Sequence, residues 1–420
     1  MKTTSYKALL LGIVGLTLGH SLTAATTIYL AGSNGDRTAT QTAIGNLLTG
    51  ATFVGSAAPT SANYGIWTGT YNTETYKIKV SFIGATGAIK ALAGNQTVGF
   101  LPDTATGQSS ANDLGNSATY TAGTPDAEVP SFIVSSNFQS TTPYRGLYQG
   151  VTYATLIDSL TGVIPLKYVA SPGFPAAGAN ITTQLVQSLY TTGALPLALF
   201  TGSSADEDKV VYALGRNTDA GQRYITLTEA GLGVNQSVKQ YKPVISGATT
   251  SGSLTYGGTV TSHALWPRET VSGVDSVTPG NSGFTTGANL APALTATLST
   301  AAAQTFNGTG TAGYYIGYLT VGDANTRVLG GSVPVANRGV ELKYNGVTES
   351  DAAIQEGQYT LWAYSHILRR STLTTGTIFN FYTALKNRIT STDAASAGIL
   401  IGGLNVSRDG EGAPVLPTYF

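Results

Sequence analysis

The sequence has 420 residues, of which 42% are hydrophobic and only 10% charged, against about a quarter charged in ordinary soluble domains. It carries 22 basic and 22 acidic side chains, 52 glycines and no cysteine. Disulfide scaffolds, thiolate metal sites and cysteine nucleophiles are thereby excluded. With zero net charge and no basic run, a nucleic-acid partner held by phosphate neutralisation is excluded as well. The length corresponds to two or three domain-sized units, enough to bury a core without covalent staples.

The first residues have the layout of a cleaved secretion signal: Lys2 and Lys7, an apolar run from Ala8 to Leu18, then small residues at Ala24 and Ala25. The run is shorter than the roughly 20 apolar residues of a membrane span and is broken by Gly12 and Gly15. The reading is therefore a signal peptide over 1–24 and a periplasmic or secreted mature chain. With no cysteine after the apolar run, an N-terminal lipid anchor is not expected. Removing Lys2 and Lys7 leaves 20 basic groups against 22 acidic.

Three stretches share one pattern, an apolar strand, a loop of glycine and small polar residues, and an amphipathic helix. The first runs from Ile28 to Ala31 through Gly32-Ser33-Asn34-Gly35-Asp36 to a helix with Ala43, Ile44, Leu47 and Leu48 on one face. The second is Lys77 to Gly84, then Ala85-Thr86-Gly87 and a helix through Ile89 and Leu92. The third is Val210 to Leu214, the loop Gly215 to Gly221, and a short helix from Gln222. Unpaired N–H groups and the helix dipole face such loops and favour anions. Alternating strands and helices imply an α/β fold with ligands at the carboxyl ends of the strands.

From Asn235 to Gly310 the chain turns Thr-, Ser- and Gly-rich and reads as an irregular, β-rich insertion. A buried strand returns at Tyr314 to Val321, and Ser365 to Arg370 and Phe379 to Arg388 read as helices. The tail from Gly410 to Phe420 reads as extended. Catalytic constellations do poorly. His263 and His366 are the only histidines of the mature chain, too few for a histidine metal site. His263, Asp275 and Ser282 follow protease order at separations too short for a triad. Gly308 to Gly313 matches G-x-G-x-x-G but precedes a strand instead of opening a helix. No enzyme, no cofactor and no metal are expected.

Residues Val80 to Asp103 (VSFIGATGAIKALAGNQTVGFLPD) resemble a segment of periplasmic phosphate-binding proteins. There a strand and a GSxG-type loop lead to a helix, a second strand and a ligand-contacting aspartate. Glu128 to Val134 resembles that family's crossover into its second lobe, and Leu214 to Gly221 (LGRNTDAG) its Arg-Ser-Asp-Gly-Ser-Gly-Thr loop. Tyr315 to Tyr318 and Glu356 to Trp362 resemble two further landmarks, all in the family's order. The resemblance implies an α/β, two-lobed type 2 periplasmic-binding-protein fold with the β-rich insertion at about 235–310 in the second lobe. The first lobe would be 25–128 and 325–420, the second 129–324.

The resemblance further implies capture of phosphate or a related small oxyanion by a monomer, and delivery to an ABC permease in the inner membrane. It puts Asp103 on the aspartate that accepts the phosphate proton and Arg216 on the anion-binding arginine. Both suit a tetrahedral oxyanion, since a guanidinium binds it bidentately and only an acceptor reads its proton. Ser33, Thr86, Gly87, Thr218, Ala220 and Gly221 are the remaining contacts implied. Several positions depart from the family pattern. Ala85 and Ala220 replace serines and Gln222 a threonine. Asp36 and Arg37 replace Thr-Phe in the first loop, and are either ligand contacts or a helix cap with a salt bridge. The alternative is a non-transporting secreted or surface protein on the same scaffold that has lost phosphate. An outer-membrane barrel ranks last, because helical periodicities interrupt the alternation it needs.

Overall fold

A computed structural model describes residues 24–114, 126–234, 236–267, 270–271, 274–275, 279–300, 302 and 312–418. The signal-like segment and most of the glycine motif at 308–313 lie outside the described residues.

All three strand-loop-helix units form. Strand β1 (Thr26–Gly32) leads to helix α1 (Arg37–Leu47), and the antiparallel strands β2 (Thr49–Gly55), β3 (Tyr64–Tyr71) and β4 (Glu74–Ser81) follow. Helix α2 (Ala85–Gly94) comes next, then the short β5 (Val98–Phe100) and β6 (Asp126–Glu128). Strand β7 is Phe132–Ser135 and β8 is the long Leu156–Ala170. Helix α3 (Thr183–Thr192), strands β9 (Ala194–Pro196) and β10 (Lys209–Ala213) and helix α4 (Gly221–Glu229) complete the third unit. The insertion contributes β11 (Tyr241–Ser246) and β12 (Thr259–Leu265), and the chain returns through β13 (Ala312–Thr320), β14 (Trp362–Arg370) and α5 (Gly376–Ser391).

One continuous sheet runs β9-β10-β13-β8-β14-β7-β1-β4-β3-β2. One half, β7-β1-β4, is parallel, with Leu30 opposite both Val80 and Phe132. At the other half β10 is parallel to β13. Strands β8 and β14 join the halves as a long antiparallel ribbon from Leu156↔Arg370 to Pro165↔Trp362, with a bulge between Leu160 and Gly162. β14 also pairs with β7 through His366↔Ser135, and β8 with β13 through Tyr168↔Tyr318. Each half has its own apolar core. Ile28, Ile44, Val80 and Phe381 centre one, Leu189, Val211, Ile225 and Tyr318 the other.

Two expectations change. Ser365 to Arg370 is strand, not helix. β14 is buried on both faces from Trp362 to Leu368, so it lacks the period-two alternation by which a strand is read. Phe379 to Arg388, by contrast, does lie in a helix. The stretch from Phe132 to Val134 is not a crossover but part of β7, a parallel neighbour of β1; the ribbon β8–β14 makes the crossing. The insertion does build its own small sheet, β11-β12 with Thr297–Leu298, packed through Ile245 and Val260 on Tyr212, Leu294 and Tyr315.

A C-terminal strap ties the halves together. Arg408 stacks on the Trp362 ring at 3.7 Å and pairs with Glu229 at the end of α4, 2.9 Å away. Three residues on, the Glu411 carboxylate accepts from the backbone N–H of Phe138 (3.0 Å) and from the Thr141 hydroxyl, beyond β7.

Candidate functional site

Four loops meet where the parallel strands end: 33–36 after β1, 82–84 after β4, 136–137 after β7 and 214–220 after β10. This is the position the doubly wound α/β arrangement reserves for ligands. Ser33, Asp36, Thr86, Ser136, Asn137, Arg216, Thr218, Asp219 and Gln222 are all buried here. A row of small residues permits the contact. A Cβ on Gly221 would lie 2.3 Å from Asn137 Oδ1, 2.5 Å from Ser136 Oγ and 2.7 Å from Ala85 Cβ. Gly84 has φ of 108°, and a Cβ there would lie 2.3 Å from the Asp219 carbonyl oxygen, so only glycine fits.

The first three loops are stitched by hydrogen bonds. Ser33 Oγ lies 3.1 Å from Ser136 Oγ and accepts from the Gly35 N–H at 3.0 Å. Asp36 occupies the N-cap position of α1, but its side chain makes no capping bond. Its carboxyl instead receives hydrogen bonds from Ser365 and Ser33; burial outweighs them and pushes its pKa up to about 6. Arg37 does not pair with Asp36. It donates to Thr60 O at 3.2 Å and to Asn63 Oδ1 at 2.5 Å.

Three buried oxygens on these loops have no hydrogen-bond partner: Asp36 Oδ2, Thr86 Oγ1 and Asn137 Oδ1. Burial of polar atoms without partners is costly, so each marks a place where a ligand atom would be welcome.

On the opposite side Arg216 is buried and spans the fourth loop. Its Nε donates to Phe284 O (3.0 Å), Nη2 to Thr285 O (2.8 Å) and Nη1 to Gln222 Oε1 (2.9 Å). Burial draws its pKa down to about 10, which leaves it cationic at neutral pH. Gln222, at a position the resemblance assigns to a threonine, is thus engaged by the arginine. Ala220 is the N-cap of α4 and offers no side-chain cap. Thr218 is buried beside it.

Asp103 stands apart from this cluster. It is 59% exposed and bound to Lys77 (2.7 Å) and Lys79 (2.8 Å), whose ammonium groups hold its carboxyl below the usual range. The reason is topological. β5, which precedes Asp103, leaves the main sheet to pair with β6. The place beside β1 belongs to β7, and the residue just beyond it on the site is Asn137. Sequence reasoning passed over Ser136 and Asn137. The signal available was Phe132-Ile133-Val134, a short apolar run leading into Ser-Ser-Asn, as β1 leads into Gly-Ser-Asn.

Beneath the site, on the ribbon, His366 Nδ1 meets Asp158 at 2.9 Å and its ring packs edge-on to Phe138. Burial alone would lower its pKa, but Asp158 overcomes this and the net shift is upward. Among the described residues no group of three or more His, Asp or Glu is placed to hold a metal, and no helix is long and apolar enough to cross a membrane.

No family model matches the sequence, and no curated protein does. Solved structures resemble the fold distantly. An ABC-type phosphate transport receptor from Vibrio cholerae is 12% identical, with a TM-score of 0.43 over 90% of this chain and 100% of that one. PstS from Borrelia burgdorferi is 11% identical, with a TM-score of 0.38 over 89% and 98%.

Proposed function

We propose that this protein is a secreted solute-binding protein that captures phosphate or a related small oxyanion between its two lobes for ABC-type import. The observation that carries this reading is the set of unpartnered buried oxygens, Asp36 Oδ2 and Thr86 Oγ1 at the N-termini of α1 and α2 and Asn137 Oδ1 on the loop after β7. Thr86 would donate its hydroxyl, and the positive dipole end of α2 beside Gly87 would favour the negative charge. Asn137 Oδ1 would accept a proton carried by the anion, the role the resemblance gives to Asp103. Ser33 and Gly221 would hold the loops close enough to act together, and Thr218 and Ala220 would complete the wall. Arg216 would supply positive potential from beneath the loop 214–220. The order of the family-like motifs along the chain and the signal-like N-terminus support the transport role.

A second reading, a non-transporting protein that has lost phosphate on this scaffold, is favoured by the buried Asp219 on the same site and by Gln222 occupying the arginine. Calorimetric titration of the mature chain with phosphate, sulfate and arsenate separates them. Saturable phosphate binding supports capture; no heat and no thermal shift at millimolar concentrations of all three sinks it.

A further inference from the structure

Helix α2 begins without a cap of its own. Its N-cap is Gly84, no side chain caps it and its first turn holds no acidic residue, so its leading N–H groups and positive dipole end lack an intrahelical partner. The partner comes from the other lobe. The Thr86 N–H donates to the Asp219 carbonyl oxygen at 3.2 Å. The Asp219 carboxylate itself lies over the first turn: a Cβ on Gly87 would be 3.5 Å from its Cγ and 3.6 Å from its Oδ1. Asp219 is 1% exposed, and its charge acts on Lys90, one turn further along α2.

We propose that Asp219 is a built-in anion that docks on the N-terminus of α2 and holds the two lobes shut without a ligand. The position is the one where an external oxyanion would gain most from the helix start. Two groups around it, Thr86 Oγ1 and Asn137 Oδ1, are buried and unpartnered, so the carboxylate does not use all that the pocket wall offers. An external oxyanion, with more oxygens than a carboxylate, must displace Asp219 to reach them and therefore binds at the expense of this contact. That competitive half rests on the oxyanion reading above; the locking half does not.

The test compares wild type with Asp219→Ser and Asp219→Asn in the mature chain, each checked for folding by circular dichroism. Small-angle scattering reports lobe separation, and calorimetry reports inorganic phosphate binding. The expected result is a larger radius of gyration for Asp219→Ser without phosphate, and phosphate affinity at least tenfold above wild type. Asp219→Asn, which keeps the shape and removes the charge, shifts both readouts in the same direction and serves if the serine variant does not fold. Unchanged dimensions in both variants overturn the proposal, as does equal phosphate affinity in all three proteins. Expansion with no phosphate heat in any protein upholds the lock and sinks the oxyanion reading instead.

Discussion

Acidic side chains on loops meet opposite fates at the junction of the two half-sheets and on the outer surface of the first. At the surface, Asp103 faces solvent between Lys77 and Lys79 of β4, and its pKa is lowered. At the junction, Asp36 is buried with hydroxyl partners and no paired cation, and its pKa is raised to about 6. The surface carboxylate sits in high dielectric, where an ion pair is worth little. The junction carboxylate sits where every unpaired charge is expensive. Functional weight follows the second environment, because only there does a ligand change the energy of a group appreciably.

Three substitutions would break or sharpen that contrast. The largest effect is expected for Arg216→Met. It removes three charge-assisted hydrogen bonds and leaves Gln222 Oε1 buried without its donor, while Phe284 O keeps the Asn217 N–H, so urea denaturation should show a loss of about 3–5 kcal/mol. A loss below 1 kcal/mol would mean that the junction is wetter than described.

Next comes Asp36→Asn. A carboxyl whose folded pKa is raised binds more protons folded than unfolded, so stability falls as pH climbs from about 4 to about 6 and the full cost persists above. The shift amounts to about 3 kcal/mol, so Asp36→Asn should be more stable than wild type by up to that amount at pH 8 and nearly equal to it at pH 3. His366, whose pKa is also raised, acts in the same sense. Its stabilising contribution is complete below its unfolded pKa and is lost as pH rises through the folded one. Denaturation curves at the two pH values decide the matter; an Asp36→Asn advantage that is larger in acid than in base reverses the assignment.

The smallest effect belongs to Asp103→Asn. Asp103 is exposed and the buried Lys79 keeps Asp126 and the Leu101 carbonyl as partners, so loss of the two ion pairs should cost less than about 1 kcal/mol and leave any preference between phosphate and sulfate as in wild type. A changed preference in competitive titration would return Asp103 to the site.

Much of this was legible in the sequence. The three strand-loop-helix units announced themselves through Gly-rich loops and periodic apolar faces, and Ser33, Asp36, Thr86, Gly87, Arg216, Thr218, Ala220 and Gly221 all lie on the loops that meet or on the helix starts that follow them. Asp103 misled because Val98-Gly99-Phe100 reads like the next strand of the sheet, and nothing local reveals that it pairs with Asp126 to Glu128 instead. Pairing partners are long-range choices, settled by which strand fills the slot beside β1. β14 was misread for a related reason. Buried on both faces, Trp362 to Leu368 shows no alternation, and its register depends on β7 and β8, both far away in the chain.

The placement of β14 bears on how the molecule is made. This strand, drawn from near the end of the described chain, lies between β7 and β8 and seals one half of the sheet to the other. Until it arrives, β7 and β8 present open edges, and open edges invite pairing with other chains. Such late, distant pairing raises contact order and slows folding. A chain released before Trp362 to Arg370 has emerged would therefore remain a client for holding chaperones, and its final step of assembly would be insertion of one strand between two that have waited for it.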